Sequence, residues 1–282
     1  MAVTPRTIIV SVAPVAHVGT VLPAGVENPL APEQVAAEVV RCARAGAAMA
    51  HLHVRDPRGE QTFDLACYTR TLDLIRAESD IVIQGSTGGM STLTLEQRCV
   101  SLQEPRTEVA SLNMGSVNFG DGVYVNTLPD IRFWAAEMRR RDVVPELEVF
   151  EAGMLASIAR LAEEGVLGQP LNYNFSLGFR GALPADPRHL AHLAAMLPPG
   201  SHWGLIHESM EDYRLVAVAL GLGATAVRAG FEDGRHLSPG EPARSNVKLV
   251  TRLVDLVRLL GLRIATPAEA RAILGVRRGR AS

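Results

Sequence analysis

Three cysteines in 282 residues are too few, and odd in number, for a disulfide framework. Cys42, Cys67 and Cys99 stand far apart with no second cysteine at metal-ligand spacing, which excludes a cysteine-built zinc site and fits a reducing cytoplasm. Charge of one sign is also lacking: 28 basic and 30 acidic residues are mixed along the chain, for a formal net charge of −2. Such a balance provides no field to gather nucleic acid or an anionic membrane surface, so the expected partners are small molecules. The one basic run, Arg277-Arg278-Gly279-Arg280, stands at the C-terminal end, where a solvated tail needs no function. Long apolar runs are missing as well. Residues 8–13, just after Arg6, fall far short of the ~20 residues of a membrane span and lack a signal-peptide layout, and they read as a first buried strand.

What the chain does have is hydrophobic content, 47%, enough for a full core, and no low-complexity linker to divide it. The expectation is one domain over residues 1–282 with a short C-terminal tail. Short apolar runs alternate with longer segments of helical periodicity. The strand-like runs are 8–13, 49–54, 81–84, 109–113, 144–149, 171–174, 202–206 and 225–229. The helical ones are 32–45, 65–77, 93–102, 127–141, 153–164, 187–196, 211–220 and 246–260. Eight such β–α pairs predict an α/β fold of the (β/α)8 TIM-barrel type, with an open doubly wound sheet as the alternative, because periodicity does not reveal whether the last strand pairs with the first.

In barrels of this kind the carboxyl ends of the strands line the active site. Here those ends are polar: His51, His53 and Arg55; Ser86-Thr87-Gly88-Gly89; Ser111 and Asn113; Glu146 and Glu148; Asn172 and Asn174; His207 and Glu208; then Arg228, Glu232 and Asp233. Within the strands these residues keep a spacing of two, which puts both members of each pair on one face, the lumen.

His51 and His53 flank Leu52 inside an apolar run, so their imidazoles project together. A catalytic metal with an open position takes about three protein ligands, and two histidines with a carboxylate suit Zn²⁺. Glu232 is the choice for the third ligand. The same set also serves Fe²⁺ and Mn²⁺, and buried histidines can instead be hydrogen-bonded core residues. The Gly-rich turn at 85–89 lets backbone N–H groups and the hydroxyls of Ser86 and Thr87 approach a carboxylate or enolate oxygen, although any tight turn also favours such residues. Glu146 and Glu148 need a metal, a cation or a proton beside them, and a salt bridge to Arg228 would also satisfy one of them.

Six ordered blocks carry a resemblance over nearly the whole chain. They are His51-Leu52-His53-Val54-Arg55-Asp56, Gly85-Ser86-Thr87-Gly88-Gly89, Ala110-Ser111-Leu112-Asn113-Met114-Gly115-Ser116, Pro145-Glu146-Leu147-Glu148-Val149-Phe150, Val227-Arg228-Ala229-Gly230-Phe231-Glu232-Asp233 with Ser245-Asn246, and Ala265-Thr266-Pro267-Ala268-Glu269-Ala270-Arg271. In these the chain resembles the β-keto acid cleavage enzymes. The resemblance implies a zinc-dependent barrel enzyme, a homo-oligomer with a tetramer favoured, that exchanges acyl groups between a β-keto acid and acetyl-CoA and needs no redox cofactor. It implies zinc on His51, His53 and Glu232. The substrate carboxylate would be held by Ser86 and Ser111 with the backbone near Gly88, and Thr87 and Asn113 stand beside them as further substrate-binding candidates. Asp233, oriented by Arg228, would be the base that removes the C2 proton, and Glu148 would support the metal site.

Two loops depart from the family pattern: Pro14-Val15-Ala16-His17-Val18-Gly19 after the first strand and His207-Glu208-Ser209-Met210 after the seventh. There His17, His207 and Glu208 are candidates for selecting the distal group of the substrate, or for ordinary loop hydrogen bonds. Competing readings are a zinc-dependent aldolase, a hydrolytic zinc barrel and a non-catalytic scaffold. The hydrolase places its His-x-His on strand one and adds histidines on strands five and six, which this chain does not.

Overall fold

The computed structural model describes residues 5–89 and 91–277, so Arg278 and the rest of the basic run lie outside the described residues. The strand-like runs form β1 (Thr7–Val12), β2 (Met49–Leu52), β3 (Val82–Gly85), β4 (Val109–Asn113), β5 (Val144–Val149), β6 (Asn172–Leu177), β7 (His202–His207) and β8 (Ala226–Ala229). Each pairs in parallel with the next, and β8 pairs with β1, placing Arg228 opposite Ser11. That last ladder closes the sheet, and the open-sheet alternative falls with it.

The outer ring comprises α1 (Pro32–Arg44), α2 (Ala66–Arg76), α3 (Leu95–Arg98), α4 (Leu128–Arg141), α5 (Gly153–Glu163), α6 (Pro187–Met196), α7 (Arg214–Leu222) and α8 (Asn246–Leu259). Their starts follow local chemistry. The Thr127 hydroxyl accepts from the amide of Asp130, Asp186 accepts from Arg188 ahead of Pro187, and Ser245 accepts from Lys248. Outward strand residues such as Val10, Leu52, Leu112 and Leu147 pack into one cluster with Val39, Leu72, Trp134, Ile158 and Leu253 of the helices.

Three features differ from the sequence expectation. The helix expected over 93–102 is cut at Cys99 into α3 and a 3-10 turn, Val100–Gln103. Arg98 draws the break inward: it is buried, and its guanidinium donates to the carbonyls of Thr87 and Val125. The helix expected from 211 starts at Arg214, because Met210 is held by the strand-eight loop, its amide donating to Asp233 O at 2.9 Å, and Asp212 then caps Arg214. Finally, the sequence expectation assigned no element after residue 260, and the structure has two. Arg263–Ile264 pairs beside β1, and a further helix, α9 (Pro267–Leu274), seals the amino-terminal mouth of the barrel.

The seal has an apolar and an ionic part. Ala270 and Leu274 pack against the lowest inward residues of the strands, Ile9, Met49, Val82 and Val109, while Asn172 Nδ2 donates to Leu274 O at 3.0 Å. Glu108, fully buried, takes charge-assisted bonds from Arg76 at 2.9 Å and from Arg271 of α9. The lumen is thus dry at its base and polar above it. Glu108→Ala leaves Arg76 only the carbonyls of Ser79 and Ile81 and leaves Arg271 only Asp80, and is expected to lower stability by about 3 kcal/mol in chemical denaturation, while leaving the affinity of the upper site for a divalent metal unchanged.

Candidate metal and substrate site

Registration of the strands brings the polar pairs to one level: His51 lies beside Gln84, Ser111 beside Glu146, Asn113 beside Glu148, and Glu148 beside Asn174. His51 Nδ1 sits 2.9 Å from Gln84 Oε1, an acceptor, so Nδ1 carries the hydrogen and Nε2 keeps its lone pair. That Nε2 faces His53 Nε2 at 3.1 Å, with the two rings nearly perpendicular at 80°. Glu232 completes the group, its oxygens 3.7 Å from His51 Nε2 and 3.4 Å from His53 Nε2.

Donors so placed fit a divalent metal. Two nitrogens on a tetrahedral ion with bonds of about 2.0–2.1 Å stand about 3.3 Å apart, close to the spacing seen here, and the three ligand atoms lie within 4.8 Å of one another. Burial supplies the required protonation states. It drives the His51 pKa down to about 3 and lowers that of His53, against the pull of Glu232, so both imidazoles are neutral. Burial alone would protonate Glu232, but the positive charge around it, with the Arg228 guanidinium at 3.2 Å, outweighs that and holds the carboxyl well below its ordinary value.

Arg228 organises the other half of the site. Its Nε donates to Asp233 Oδ2 at 2.8 Å, its Nη2 to the second oxygen of Asp233 and to Glu232 Oε1 at 3.2 Å. Burial opposes the Arg228 charge, but Asp233 and Glu232 raise its pKa above that of a free guanidinium. Burial likewise pushes Asp233 up against the pull of Arg228, and lifts Glu148 to about 8 with help from Glu146. Adjacent in sequence, Glu232 and Asp233 face different partners, the histidines for one and the guanidinium for the other.

The loop that carries these acids is pinned by backbone. Glu232 N donates to Ala13 O at 3.2 Å, and Phe231 N donates to Asn246 Oδ1 at 2.8 Å, whose own Nδ2 bonds Pro14 O. Gly230 makes the close approach possible: its φ is +153°, and a Cβ there would lie 2.1 Å from Ala13 O.

A cavity of about 560 Å³ opens above, lined by His51, His53, Glu232, Asp233, Arg228, Glu148, Ser86, Gly88 and Ser111, all of them sequence candidates. His17 and Glu208 also line it, whereas His207 does not. Thr87 and Asn113 are buried outside the lining. Thr87 Oγ1 donates to Ser111 O at 2.6 Å, tying the third loop to β4, and Asn113 Oδ1 accepts from Gly115 N. Three buried donors of the described lining residues have no partner, Arg55 Nε, Arg228 Nη1 and Ser176 Oγ. Ser176 escapes the sequence reading because strand six was ended at Asn174.

The far wall of the cavity was also missed. A hairpin, Val117–Phe119 with Gly122–Tyr124, folds over the mouth and bonds Arg180 O through Gly120 N at 2.8 Å. It brings Phe119 and Tyr124 to the cavity beside Phe150 and Phe179. The Gly120-Asp121-Gly122 turn between apolar residues was its readable signal.

A closed parallel barrel with a His-His-Glu cluster at the carboxyl ends of its strands defines a barrel protein with a candidate catalytic metal site. The chain belongs to the beta-keto acid cleavage enzyme family, whose profile matches residues 8–276. It is 36% identical over 256 residues to the 3-keto-5-aminohexanoate cleavage enzyme of Fusobacterium nucleatum, covering 89% of this chain and 93% of that one. It is 38% identical over 255 residues to the enzyme of the same name from Acetoanaerobium sticklandii, covering 88% and 92%. To the 3-oxoadipate:acetyl-CoA acetyltransferase of Cupriavidus necator it is 33% identical over 263 residues, covering 90% and 91%. Among solved structures, apo ObcA superposes with a TM-score of 0.73 at 23% identity, which speaks for the fold; 88% of this chain matches 65% of that longer one. Gly230→Ala is expected to cost about 3 kcal/mol or more through the clash with Ala13. Even where the variant folds, calorimetry should show weakened binding of a divalent metal; unchanged metal affinity would show that the loop does not set the ligand geometry.

Proposed function

We propose that this chain is an acyltransferase that condenses a β-keto acid with acetyl-CoA to give acetoacetate and a new acyl-CoA, with zinc on His51, His53 and Glu232. The observation that carries the reading is the convergence, in one cavity, of that ligand group with an Asp233 carboxylate clamped by Arg228. The relatives' names support it, since those aligned over most of this chain are β-keto acid cleavage enzymes and acetyl-CoA transferases.

A divalent cation held by His51, His53 and Glu232 would supply positive charge to offset the negative charge that gathers on the keto oxygen as C2 loses its proton. Asp233 takes that proton. Arg228 grips both oxygens of Asp233 and so fixes its direction, and the free Nη1 of Arg228 is available to a substrate oxygen. The Gly88 amide already donates to Ser86 Oγ at 2.9 Å, which leaves the Ser86 hydroxyl hydrogen for the substrate carboxylate, with Ser111 beside it. A Cβ on Gly88 would fill this approach, 3.0 Å from Ser86 Oγ. Glu148 supports the metal site from across the lumen. The C2 carbanion bonds to the acetyl carbonyl carbon and the CoA thiolate departs. The thiolate then adds to the former keto carbon, the bond from that carbon to C2 breaks, and acetoacetate leaves as its enolate and takes back a proton.

The same reading makes residues 1–282 one barrel domain, cytoplasmic and homo-oligomeric, a tetramer. No helix among the described residues is long and apolar enough to cross a bilayer. Two measurements check the proposal. Elemental analysis should find about one zinc per chain, lost in His51→Ala and in His53→Ala. Mass spectrometry should find acetoacetate and a new acyl-CoA only when acetyl-CoA is supplied; release of acetate from a β-keto acid without CoA would establish a hydrolase instead.

A further inference from the structure

Four aromatic rings form the cavity wall over β4, β5 and β6, with Phe119, Phe150 and Phe179 across the barrel from the ligand group and Tyr124 at the end that borders Gly88. Phe179 follows β6 and packs 5.0 Å from Phe150 and 5.2 Å from Phe119, centroid to centroid, and Phe119 packs 5.8 Å from Tyr124. Val123 and Ile206 extend the apolar surface. Of the charged lining residues, His17 acts on the charges of His53 and Asp233, Arg55 on His53, and Glu208 on Asp233 and Glu232, while Glu148 acts on Tyr124 at the edge of the wall.

We propose that this wall receives the distal end of the β-keto acid and selects an uncharged, apolar tail, aryl or branched alkyl; the inference rests on the reaction proposed above. A tail bearing a second carboxylate would lose its hydration against hydrocarbon, and the Arg98 guanidinium behind the wall already gives its hydrogens to the carbonyls of Thr87 and Val125, to Asn126 and to the Tyr124 hydroxyl. A quaternary ammonium tail calls for ring faces held apart around a gap, with the cation within about 6 Å of each centroid. These rings instead pack on one another at 5.0–5.8 Å and present a continuous surface. A positive charge also stands behind the wall: the buried Arg98 guanidinium lies 5.0 Å from the Tyr124 ring centre and donates to its hydroxyl at 3.2 Å. That charge repels a cationic tail.

The test uses the full-length, zinc-loaded protein and three β-keto acids that share the reactive head and end in phenyl, carboxylate or trimethylammonium. Their Kd values are measured by calorimetry without acetyl-CoA, and their kcat/KM values with it. The phenyl compound should bind at least about tenfold more tightly than either charged one. Phe179→Ala should remove most of that preference by raising KM with little change in kcat, and Phe179→Leu should restore it. Equal or tighter binding of a charged compound overturns the proposal. So does a Phe179→Ala variant that raises the KM of acetyl-CoA and leaves the β-keto acid preference intact, since the wall would then hold the CoA arm. If the phenyl preference in Kd appears without turnover of any compound, the tail selection stands and the assigned reaction fails.

Discussion

Arg228 carries a full positive charge at the top of β8 with almost no access to water. Burial of a lone guanidinium would cost many kcal/mol, so the fold must bring anions to it. It does so with two adjacent residues of the following loop, Asp233 taking a bidentate grip and Glu232 a single contact. Once Glu232 is fixed from that side, its carboxylate stands where the imidazoles of β2 point. The candidate ligand group and the clamped Asp233 carboxylate are therefore two consequences of one buried charge.

The surroundings keep that arrangement rigid. Gln84 sets the tautomer of His51, Asn246 ties the acid-bearing loop to the turn after β1, and the missing Cβ of Gly230 lets the loop lie against Ala13. Beneath them the barrel base is closed by α9, whose apolar face meets the lowest strand residues and whose Arg271 reaches Glu108. A sealed floor keeps water from entering the lumen from below, and substrate access is from above, past the hairpin of residues 117–124. The His-His-Glu cluster and the aromatic wall thus share one cavity.

Much of this was legible in the sequence because barrel strands alternate. Polar residues two apart, as in His51 and His53 or Glu146 and Glu148, had only the lumen as a common face, and the register confirms the levels. What closes the sheet was not legible, since the pairing of Ser11 with Arg228 joins residues more than two hundred positions apart and leaves no local pattern. The break at Cys99 was hidden for a similar reason: its cause is Arg98 reaching the carbonyl of Val125, a tertiary bond that overrides the apolar periodicity. Thr87 and Asn113 shared the composition of a binding loop with Ser86, yet Thr87 uses its hydroxyl on a backbone carbonyl and neither residue borders the cavity. The basal helix α9 went unassigned although Thr266-Pro267 and Glu269 form a readable capping box.

The central claim is that Glu232 and Asp233, one methylene different and side by side, divide the work of holding the ion and moving the proton. Metal content and turnover measured together on two substitutions test it most directly. Asp233→Asn should keep its zinc while kcat falls by about 10²-fold or more, as loss of a general base produces, and Glu232→Gln should lose affinity for zinc itself. Zinc loss in Asp233→Asn, or retention of both zinc and near-normal turnover in that variant, would contradict the account.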